Sequence, residues 1–558
     1  MKITIINNQQ YCWTHWSEKN INIYIKGSFW FEGEYFREEK ACLKLLKLFK
    51  LESSQSNIIY DKIQPCINSL IGNFAIIIKL PNLVIATVDK VKSYPVFYRY
   101  ENSTLKISNC ADNLIDRTTP DSFNLDAITI FKMSGYCIGK ETFLKNVKQL
   151  QPGSILFFFI PEGEVIIRRY YKYFPENNTH HVQNYGGIEE LNKITMQVFS
   201  RMIKSIDGAP IFLPLSGGLD SRLILAVLKK LKYDNITTYT YGLKGAWETK
   251  RAKLIAEKVG VKWLFVELKQ RPTRNLFHTK DRLNYFRFAG GLSSAPHLAE
   301  YYALLSLRKE HLIPENAVII NGQSGDFTSG GHIPSFLNSQ STDKIDIDIF
   351  LNSIINKHFS LWTNLITPKN RQLVSNKILK SLSLEERKLI SNTEFANFYE
   401  LHEWEERQSK YVINGQRAYD WFGYEWKLPL WDDELMKFWQ NVDWKEKRGQ
   451  KLLLEYLDEF NFSGLFKDIN LSAQYSYFPN WAKPIKPFFH ALSGISKRDV
   501  QYYYHKYLKY YMTYGAFYPQ KNYFEYIKHS KWHRNNASYW VHEYLDEVAK
   551  RNNFLYEE

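Results

Sequence analysis

The sequence predicts an α+β N-terminal sandwich, followed by an α/β domain with a parallel sheet and by a mainly helical C-terminal part. Three observations support this prediction. Residues 1–175 consist mostly of short strand-like runs between turn signals, and strands alternate with helices from Ile188 onward. Beyond about Thr342 the chain favours helices. Alternation of strand and helix is typical of a parallel sheet with crossover helices, whereas consecutive short strands indicate antiparallel layers.

Short β-branched or aromatic runs predict the N-terminal strands. These strands are Lys2–Ile6, Ile21–Lys26, Phe74–Ile78, Leu83–Val88, Val96–Tyr100, Leu105–Ser108 and Ser154–Ile160. One helix is predicted over Glu38–Leu51. The polar stretch Pro175–Tyr185 is the predicted linker, so the first domain is expected to span residues 1–175.

The second predicted domain, residues 186–470, contains the strand–helix alternation. Its predicted elements are helix Ile188–Ile206, strand Ile211–Leu215, helix Arg222–Lys232, strand Thr237–Tyr241, helix Glu248–Val259 and strand Trp263–Glu267. Residues 471–558 are expected to form a basic, aromatic C-terminal extension, because tyrosines and lysines are interleaved between Arg498 and Trp532. Such a run can stack on bases or sugars, or it can pack as helices against the preceding domain.

The composition is that of a globular protein. Of 558 residues, 44% are hydrophobic and 23% are charged, which excludes a disordered chain, a collagen-like repeat and a heptad rod. The net charge of 73 − 58 = +15 admits nucleic acid, anionic lipid or a phosphorylated small molecule as a partner. The five cysteines are odd in number and form no CxxC pair, so we expect reduced thiols in a cytoplasmic protein. We recognise no signal peptide, and no apolar run reaches the roughly 20 residues that span a bilayer.

One stretch contains the main chemical signal, because strand Ile211–Leu215 runs directly into Ser216–Ser221 and then into a helix. Gly217 and Gly218 place no side chain in the path of an anion, and the amides and hydroxyls at the helix start offer donors to phosphate oxygens. Asp220 would repel phosphate unless it holds a bound Mg²⁺. The alternative is a simple strand-to-helix turn with serine and aspartate caps. A Walker loop is excluded, because no Gly-Lys-Ser/Thr ending is present.

This loop resembles the pyrophosphatase loop of ATP-cleaving, AMP-forming enzymes, and its surroundings resemble the asparagine synthetase family. The resemblance extends to Thr238–Gly242, to Ser324–Asp326 before Gly330 and Gly331, and to Gly423–Asp432 followed by Lys451. In the N-terminal part, the stretches that resemble the family's glutaminase-like domain are Ile71–Ala75, Asp89–Tyr98 and Thr142–Gly153. The resemblance implies an Ntn-like sandwich before an ATP-pyrophosphatase domain, with ATP and Mg²⁺ as cofactors.

The resemblance also implies roles for individual residues. The ATP and pyrophosphate site would comprise Leu215, Ser216, Gly217, Gly218, Leu219, Asp220, Ser221, Tyr241, Gly242, Ser324 and Gly325. Asp220 and Asp326 would hold Mg²⁺. Lys451 would stabilise the charge between the α-phosphate and the acyl carbon, unless it belongs to a solvated basic face. Glu425 would be either a base that deprotonates the incoming amine or the partner of a nearby cation.

Two positions depart from the family pattern. A working glutaminase domain needs a cysteine at position 2, where this sequence has Lys2, and the next cysteine is Cys12. We therefore expect a scaffold without glutaminase activity, similar to those of β-lactam synthetases and lasso-peptide cyclases. The second glycine loop keeps Asp326, with Ser329 near the place of the usual aspartate. The stretch Gly322–Pro334 is similar to asparagine-synthetase-like enzymes of bacterial surface-polysaccharide clusters, which are thought to convert uronic acids into uronamides.

The sequence therefore predicts an ATP-dependent ligase that adenylates a carboxylate and transfers a nitrogen nucleophile to it. The acceptor would be aspartate, a uronic acid of a surface polysaccharide or a peptide carboxylate, and ammonia would be free or delivered by a partner protein. Two other classes stay open. One is a protein that binds or modifies RNA with the same loop, against which the glutaminase-like domain argues. The other is an inactive scaffold without nucleotide affinity.

Overall fold

The computed structural model describes residues 2–4, 11–49, 56–116, 122–175, 187–338, 344–467, 507, 510, 522–529 and 531–552. Most of the predicted linker and most of the predicted C-terminal extension lie outside these residues. Among the residues described, no helix is both long enough and apolar enough to cross a membrane.

The N-terminal domain contains two β-sheets. Its strands are β1 (Lys2–Thr4), β2 (Thr14–Glu18), β3 (Ile21–Phe31), β4 (Glu34–Arg37), β5 (Ile71–Lys79), β6 (Leu83–Val88), β7 (Phe97–Glu101), β8 (Thr104–Ser108), β9 (Val147–Gln149), β10 (Ser154–Phe159) and β11 (Glu164–Arg169). Within the described part of the chain, one sheet has the order β11-β10-β6-β5-β3-β2, with β4 beside β3, and the other has the order β1-β8-β7-β9. The pairings are antiparallel except that of β1 with β8. The predicted α+β sandwich is therefore confirmed.

Strand β6 shows why this sandwich is readable from sequence. All six residues from Leu83 to Val88 are buried. Val84 and Ala86 lie in a hydrophobic cluster that includes the other sheet, whereas Ile85 lies in a second cluster that includes helix residues such as Leu45. Because both faces of the strand are covered, its sequence is a continuous apolar run rather than an alternation of polar and apolar residues.

The second domain is built on a parallel sheet. Its strands are β12 (Ile211–Pro214), β13 (Ile236–Gly242), β14 (Lys262–Glu267), β15 (Val318–Ile320) and β18 (Glu425–Lys427), in the order β14-β13-β12-β15-β18, while β16 (Lys344–Asp346) and β17 (Leu389–Ser391) form a separate antiparallel pair. Every pairing in the five-stranded order is parallel. The predicted parallel α/β domain is confirmed, and the carboxyl ends of its strands meet at one edge.

Helices occur in both domains and predominate in the chain after residue 344. They are α1 (Glu38–Leu48), α2 (Ser56–Asn68), α3 (Leu125–Ser134), α4 (Gly187–Ile206), α5 (Leu219–Lys230), α6 (Trp247–Lys258), α7 (Gln270–Phe277), α8 (Lys280–Gly290), α9 (Ala299–Lys309), α10 (Gly325–Thr328), α11 (Ile347–His358), α12 (Pro368–Leu382), α13 (Asn392–Glu403), α14 (Arg417–Phe422), α15 (Asp433–Asn441), α16 (Trp444–Lys447), α17 (Lys451–Phe460), α18 (Tyr523–His529) and α19 (Asn536–Arg551). A π-helix over Trp404–Val412 continues α13.

The C-terminal helix α19 packs between the two domains. The hydroxyl of Tyr544 accepts a hydrogen bond from the backbone N–H of Leu292 at 2.9 Å, and its ring lies 6.0 Å from that of Phe131 in α3. A Cβ at Gly290 would lie 2.1 Å from the Tyr544 ring, so only glycine permits this approach. Tyr510, from the predicted aromatic extension, is buried and accepts a hydrogen bond from Arg274 at 2.8 Å. At this residue the structure agrees with packing rather than with an exposed stacking surface.

Candidate functional site

The first glycine loop connects β12 to α5 and is shaped by its own serines. The backbone N–H of Ser216 donates to Oγ of Ser221 at 3.0 Å, and the two hydroxyls lie 3.1 Å apart. The N–H of Gly218 donates to Oγ of Ser216 at 3.1 Å. Gly218 is the N-cap of α5 and supplies no side-chain acceptor, so the first amides of the helix are not capped by it. The N–H groups of these amides can donate hydrogen bonds to a bound anion.

The buried side chain of Arg222 binds the backbone of this loop. Arg222 is fully buried and donates to the carbonyl of Gly217 at 3.0 Å and to that of Leu465 at 3.1 Å. A Cβ at Gly217 would lie 3.0 Å from the ring of Trp247 and 3.2 Å from Arg251, which is tighter than ordinary packing. The backbone of the loop therefore approaches α6 closely.

The second glycine loop packs directly on the first. A Cβ at Gly325 would lie 2.6 Å from Cγ of Asp220, and one at Gly322 would lie 2.9 Å from the backbone nitrogen of Ser221. The N–H of Asp326 donates to Oδ2 of Asp220 at 3.2 Å. Ser324 precedes this contact with a φ of 69°, in the left-handed region. The structure thus brings together the two loops that the sequence places about 100 residues apart.

The two candidate metal ligands are neighbours, with Asp220 partly buried and the side chain of Asp326 54% exposed. Burial, and after it the Asp326 carboxylate, raises the pKa of Asp220 to about 7. Burial, the largest single influence, would raise the pKa of Asp326, but the hydrogen bond and charge of His332, the N–H of Phe327 and the charge of Arg407 together lower it. A divalent cation would relieve the repulsion between two such carboxylates, and carboxylate oxygens suit Mg²⁺. Among the residues described, no group of three or more ligand-type side chains is clustered for a metal, so water and phosphate would complete the coordination.

A buried ionic cluster stands behind Asp326. His332 contacts Asp326 through Nε2 at 3.1 Å and Glu403 through Nδ1. Glu403 is fully buried and also lies 2.6 Å from Nε2 of His358 and 3.0 Å from Nζ of Lys357. Burial would lower the pKa of His332, but the Glu403 and Asp326 carboxylates outweigh it and raise the pKa to about 9. His332 is therefore held as a cation between two carboxylates.

The π-helix connects this cluster to the second loop and to the N-terminal domain. Gln408 accepts a hydrogen bond from the Ser324 hydroxyl at 2.7 Å. Glu406 accepts from the backbone N–H of Gly139 at 3.0 Å, and Glu405 is paired with Arg169. A π-helical segment is uncommon and is often found at functional sites. Here it directs consecutive acidic and amide side chains to both domains.

The predicted adenine-side residues lie where β12 and β13 end. The backbone N–H of Leu215 donates to the carbonyl of Tyr239 at 2.8 Å, and the Leu215 carbonyl accepts from Thr240 at 2.7 Å. The predicted adenosine contact at Leu215 would therefore use the second lone pair of its carbonyl, because its N–H is already bonded. Gly242 has a φ of 150°, and a Cβ there would meet no atom within 4 Å, so the space beside it is open. Tyr241 is the residue before this opening.

Lys451 is not in contact with either loop. Its ammonium lies 2.8 Å from Glu446, and its side chain is 53% exposed. The neighbouring residues face inward instead: Gln450 donates to Oγ of Ser329 at 2.9 Å, and Lys447 is buried beside Glu400 at 2.6 Å. The predicted role of Lys451 therefore requires its side chain to leave Glu446, and it stays a prediction.

Glu425 lies at the other end of the sheet from the loops. In the parallel register, Glu425 is level with Val318 and Ile211, the first residues of β15 and β12. The nucleotide loop follows the last residue of β12, about 10 Å further along at roughly 3.3 Å per residue. The carboxylate of Glu425 lies 2.7 Å from Nζ of Lys427 and is partly exposed. Of the two readings of Glu425, the structure agrees with a partner for a cation.

Sequence reasoning missed His332, Glu403, Lys447 and Gln450. The first two are polar residues without a motif, and their proximity depends on tertiary packing between α13 and the second loop. A signal was available for Lys447, because it belongs to the same basic run as Lys451. The sequence alone did not distinguish the two lysines, because both belong to one short basic run.

The fold and the two glycine loops define a nucleotide-binding α/β domain joined to an α+β sandwich. Residues 200–457 match the family model for asparagine synthase. The match supports an ATP-dependent, amide-forming ligase in general. A comparison with curated proteins found no match.

Several solved structures are similar to parts of the chain. An NH₃-dependent NAD synthetase from Campylobacter jejuni subsp. jejuni NCTC 11168 is 14% identical, with 36% of this chain and 97% of that chain covered and a TM-score of 0.20. A glutamine phosphoribosylpyrophosphate amidotransferase from B. subtilis is 10% identical, with 45% and 72% covered and a TM-score of 0.19. An allosteric regulatory enzyme of purine biosynthesis is 13% identical, with 48% and 59% covered and a TM-score of 0.19. Likenesses of this size carry no functional argument.

Proposed function

We propose that the protein is an AMP-forming ligase that adenylates a carboxylate and then forms an amide with a nitrogen nucleophile. The observation that carries this proposal is the contact between the two glycine loops, where Gly325 abuts Asp220. The first turn of α5 therefore lies next to the carboxylates of Asp220 and Asp326. That arrangement suits a pyrophosphate together with a divalent cation.

The proposed roles follow from this geometry. Ser216, Ser221 and the amides from Gly217 to Leu219 bind the pyrophosphate, with Ser324 and Gly325 opposite them. Asp220 and Asp326 hold Mg²⁺, which would neutralise charge on the pyrophosphate. Tyr241 and Gly242 border the adenine. His332 keeps Asp326 ionised and oriented, because it is fixed in turn by Glu403.

The acceptor that we propose is a uronic acid of a surface polysaccharide, with aspartate and a peptide carboxylate as the alternatives. The nitrogen would be ammonia, free or delivered by a partner protein. A glutaminase nucleophile of this kind has to be the N-terminal residue. Cys12 does not meet this requirement, because β1 precedes it in the chain and pairs with β8. A cytoplasmic location fits a reaction that consumes ATP.

The experiment is a carboxylate-dependent exchange of labelled pyrophosphate into ATP, with D-glucuronate, D-galacturonate and L-aspartate as candidate acceptors. Exchange requires a reversible adenylate, so it separates an AMP-forming reaction from an ADP-forming one. Asp220→Asn should abolish the exchange and leave the thermal unfolding midpoint nearly unchanged. Asp234→Asn is the matched control, because Asp234 is exposed beyond the far end of α5. Wild-type exchange in a folded Asp220→Asn variant would refute the assignment.

A further inference from the structure

A cavity of about 330 Å³ lies between the N-terminal domain and the synthase domain. The N-terminal side contributes Cys12, Lys26 and Asn73, and the synthase side contributes Glu425 and Lys427. Its volume is within the range of small-molecule pockets, which begins at roughly 300 Å³. It contains none of the residues of the two glycine loops, so it is separate from the proposed ATP site.

Lys26 is the distinctive residue of this cavity. Its ammonium lies 4.7 Å from the ring centre of Tyr11 and 5.9 Å from that of Tyr94. Among the described residues, none forms an ion pair or a hydrogen bond with this ammonium, which has cation–π contacts alone. Burial lowers the pKa of Lys26, against the opposing influence of Asp420. A partly buried lysine that retains only cation–π contacts still has unused donors.

The carboxylates of Asp420 and Glu425, which line the cavity, already have cationic partners. Asp420 pairs with Arg417 at 2.8 Å and accepts a hydrogen bond from the indole of Trp426 at 3.1 Å. Glu425 pairs with Lys427 at 2.7 Å. At the exposed rim, Arg37 and Glu38 are adjacent in sequence and their charges cancel. When Arg417 is counted as the partner of Asp420, one charge is left over at the cavity, the positive charge of Lys26.

The backbone next to Lys26 is closely packed at Gly27. Gly27 has a φ of 88°, and a Cβ there would lie 2.0 Å from the carbonyl oxygen of Asn73 and 2.7 Å from the Tyr94 ring. A side chain is therefore impossible at Gly27. The close approach of β3 and β5 directs the Lys26 side chain to a wall formed by Tyr11 and Tyr94.

We propose that this interdomain cavity binds a small molecule with one carboxylate, which pairs with the ammonium of Lys26. One negative charge completes the charge balance of the cavity. A dianion such as phosphate would instead add a surplus charge beside Asp420 and Glu425, so a monocarboxylate fits better. The volume beyond one carboxylate leaves room for polar groups that contact Thr14 or Asn73.

The test is calorimetric titration of the full-length protein, without nucleotide, using D-gluconate and D-glucuronate. Their neutral amides, D-gluconamide and D-glucuronamide, are the matched controls, because they differ only in the charged group. At least one carboxylate should bind with a stoichiometry near one, and its amide should bind about tenfold to a hundredfold more weakly, as expected for loss of a charged hydrogen bond. Inorganic phosphate should bind more weakly than that carboxylate.

Variants at Lys26 and Asp220 locate the binding. Lys26→Met should bind the carboxylate about tenfold to a hundredfold more weakly than wild type does. Asp220→Asn should bind it with wild-type affinity, because the ATP site is not involved. Lys26→Arg should retain part of the affinity. Equal affinity in wild type and Lys26→Met, no binding of either carboxylate, or tighter binding of phosphate would each overturn the proposal.

Cysteine labelling tests the same proposal in the unmutated protein. This test therefore does not depend on whether the Lys26→Met variant folds. Cys12 is exposed and lines the cavity, whereas Cys42, Cys110 and Cys137 are buried. The bound carboxylate should slow maleimide labelling of Cys12, followed by peptide mass, and should leave the partly exposed Cys66 unaffected. Unchanged labelling of Cys12 at saturating carboxylate would contradict the assigned position.

Discussion

The two glycine loops and the interdomain cavity differ in how their buried charges are balanced. Around the loops, Glu403 is surrounded by His332, His358 and Lys357, and Lys447 is paired with Glu400. In the cavity, the described residues leave the charge of Lys26 without a partner. A compensated cluster fixes the geometry of a site before any ligand arrives, whereas an uncompensated charge is satisfied only by a ligand. The difference suggests a rigid reaction site and a separate site of recognition.

Removing one charge from the compensated cluster should have the largest effect. Glu403→Gln leaves His332, His358 and Lys357 without their shared carboxylate, so we expect the free energy of unfolding to fall by about 3–5 kcal/mol. Chemical denaturation measures this value. Glu394→Gln, on the same helix but partly exposed, is the control and should cost less than 1 kcal/mol or so. A Glu403→Gln variant as stable as the control would show that the cluster is not what fixes this region.

Lys451 tests whether a mobile cation completes the rigid site. If its ammonium stabilises charge that appears only as the acyl-adenylate forms, Lys451→Ala should lower kcat by about a hundredfold to a thousandfold, by analogy with oxyanion donors. The KM for ATP should change little, because the contact is made in the transition state. Lys451→Arg should rescue poorly, since a planar fork does not replace a point charge.

The control for Lys451 is Lys445→Ala, an exposed lysine of the same basic run. It should keep wild-type kcat. If Lys451→Ala behaves in the same way, Lys451 is only the surface partner of Glu446, and the loops act without a lysine from α17.

Gly325→Ala tests the close packing of the two loops. The new Cβ would lie 2.6 Å from both Asp220 and Leu430, so the Asp220 carboxylate has to move. Misplacement by about 1 Å can cost roughly a hundredfold in rate, and we expect a loss of that size in pyrophosphate exchange. Gly208→Ala is the control, because no atom lies within 4 Å of the Cβ added there; unlike Gly325, Gly208 has a positive φ, of 76°. It should lose about 1 kcal/mol of stability and no activity.

The sequence predicts most of the fold because its elements are locally encoded. The run Leu83–Val88 is predicted with its observed bounds, since burial on both faces requires a continuous apolar run. By contrast, β2 over Thr14–Glu18 escaped prediction, because its Thr-His-Trp-Ser-Glu sequence lacks a strand-like pattern and its pairing with β3 decides its structure. Helix α5 begins at Leu219 rather than Arg222, because the loop residues themselves form its first turn.

The functional site likewise has one part that the local sequence encodes and another part that depends on tertiary contacts. The loop Ser216–Ser221 is consecutive in the chain, so its residue types and order identify it without tertiary information. The contact of Gly325 with Asp220 and the ion pairs of Glu403 join residues that are about 45 to 105 positions apart, and no local pattern encodes them. Lys26 is harder still to find, because its significance lies in the absence of a partner among the described residues, which only the surroundings show.

Glu425→Gln should have the smallest effect, and it tests whether the two regions are independent. Glu425 lies at the cavity, level with the start of β12, and its carboxylate pairs with Lys427 on a partly exposed surface. Exposed pairs contribute about 0.2–1 kcal/mol, so the free energy of unfolding should change by no more than that, and kcat for pyrophosphate exchange should stay within about twofold of wild type. Carboxylate affinity at Lys26 should rise slightly, because one negative charge has left the cavity wall. A general base would behave differently, since its loss costs roughly a hundredfold or more in kcat. A drop of that size would place Glu425 in the reaction despite its position at the opposite end of the strands, and the two regions would then have to act as one site.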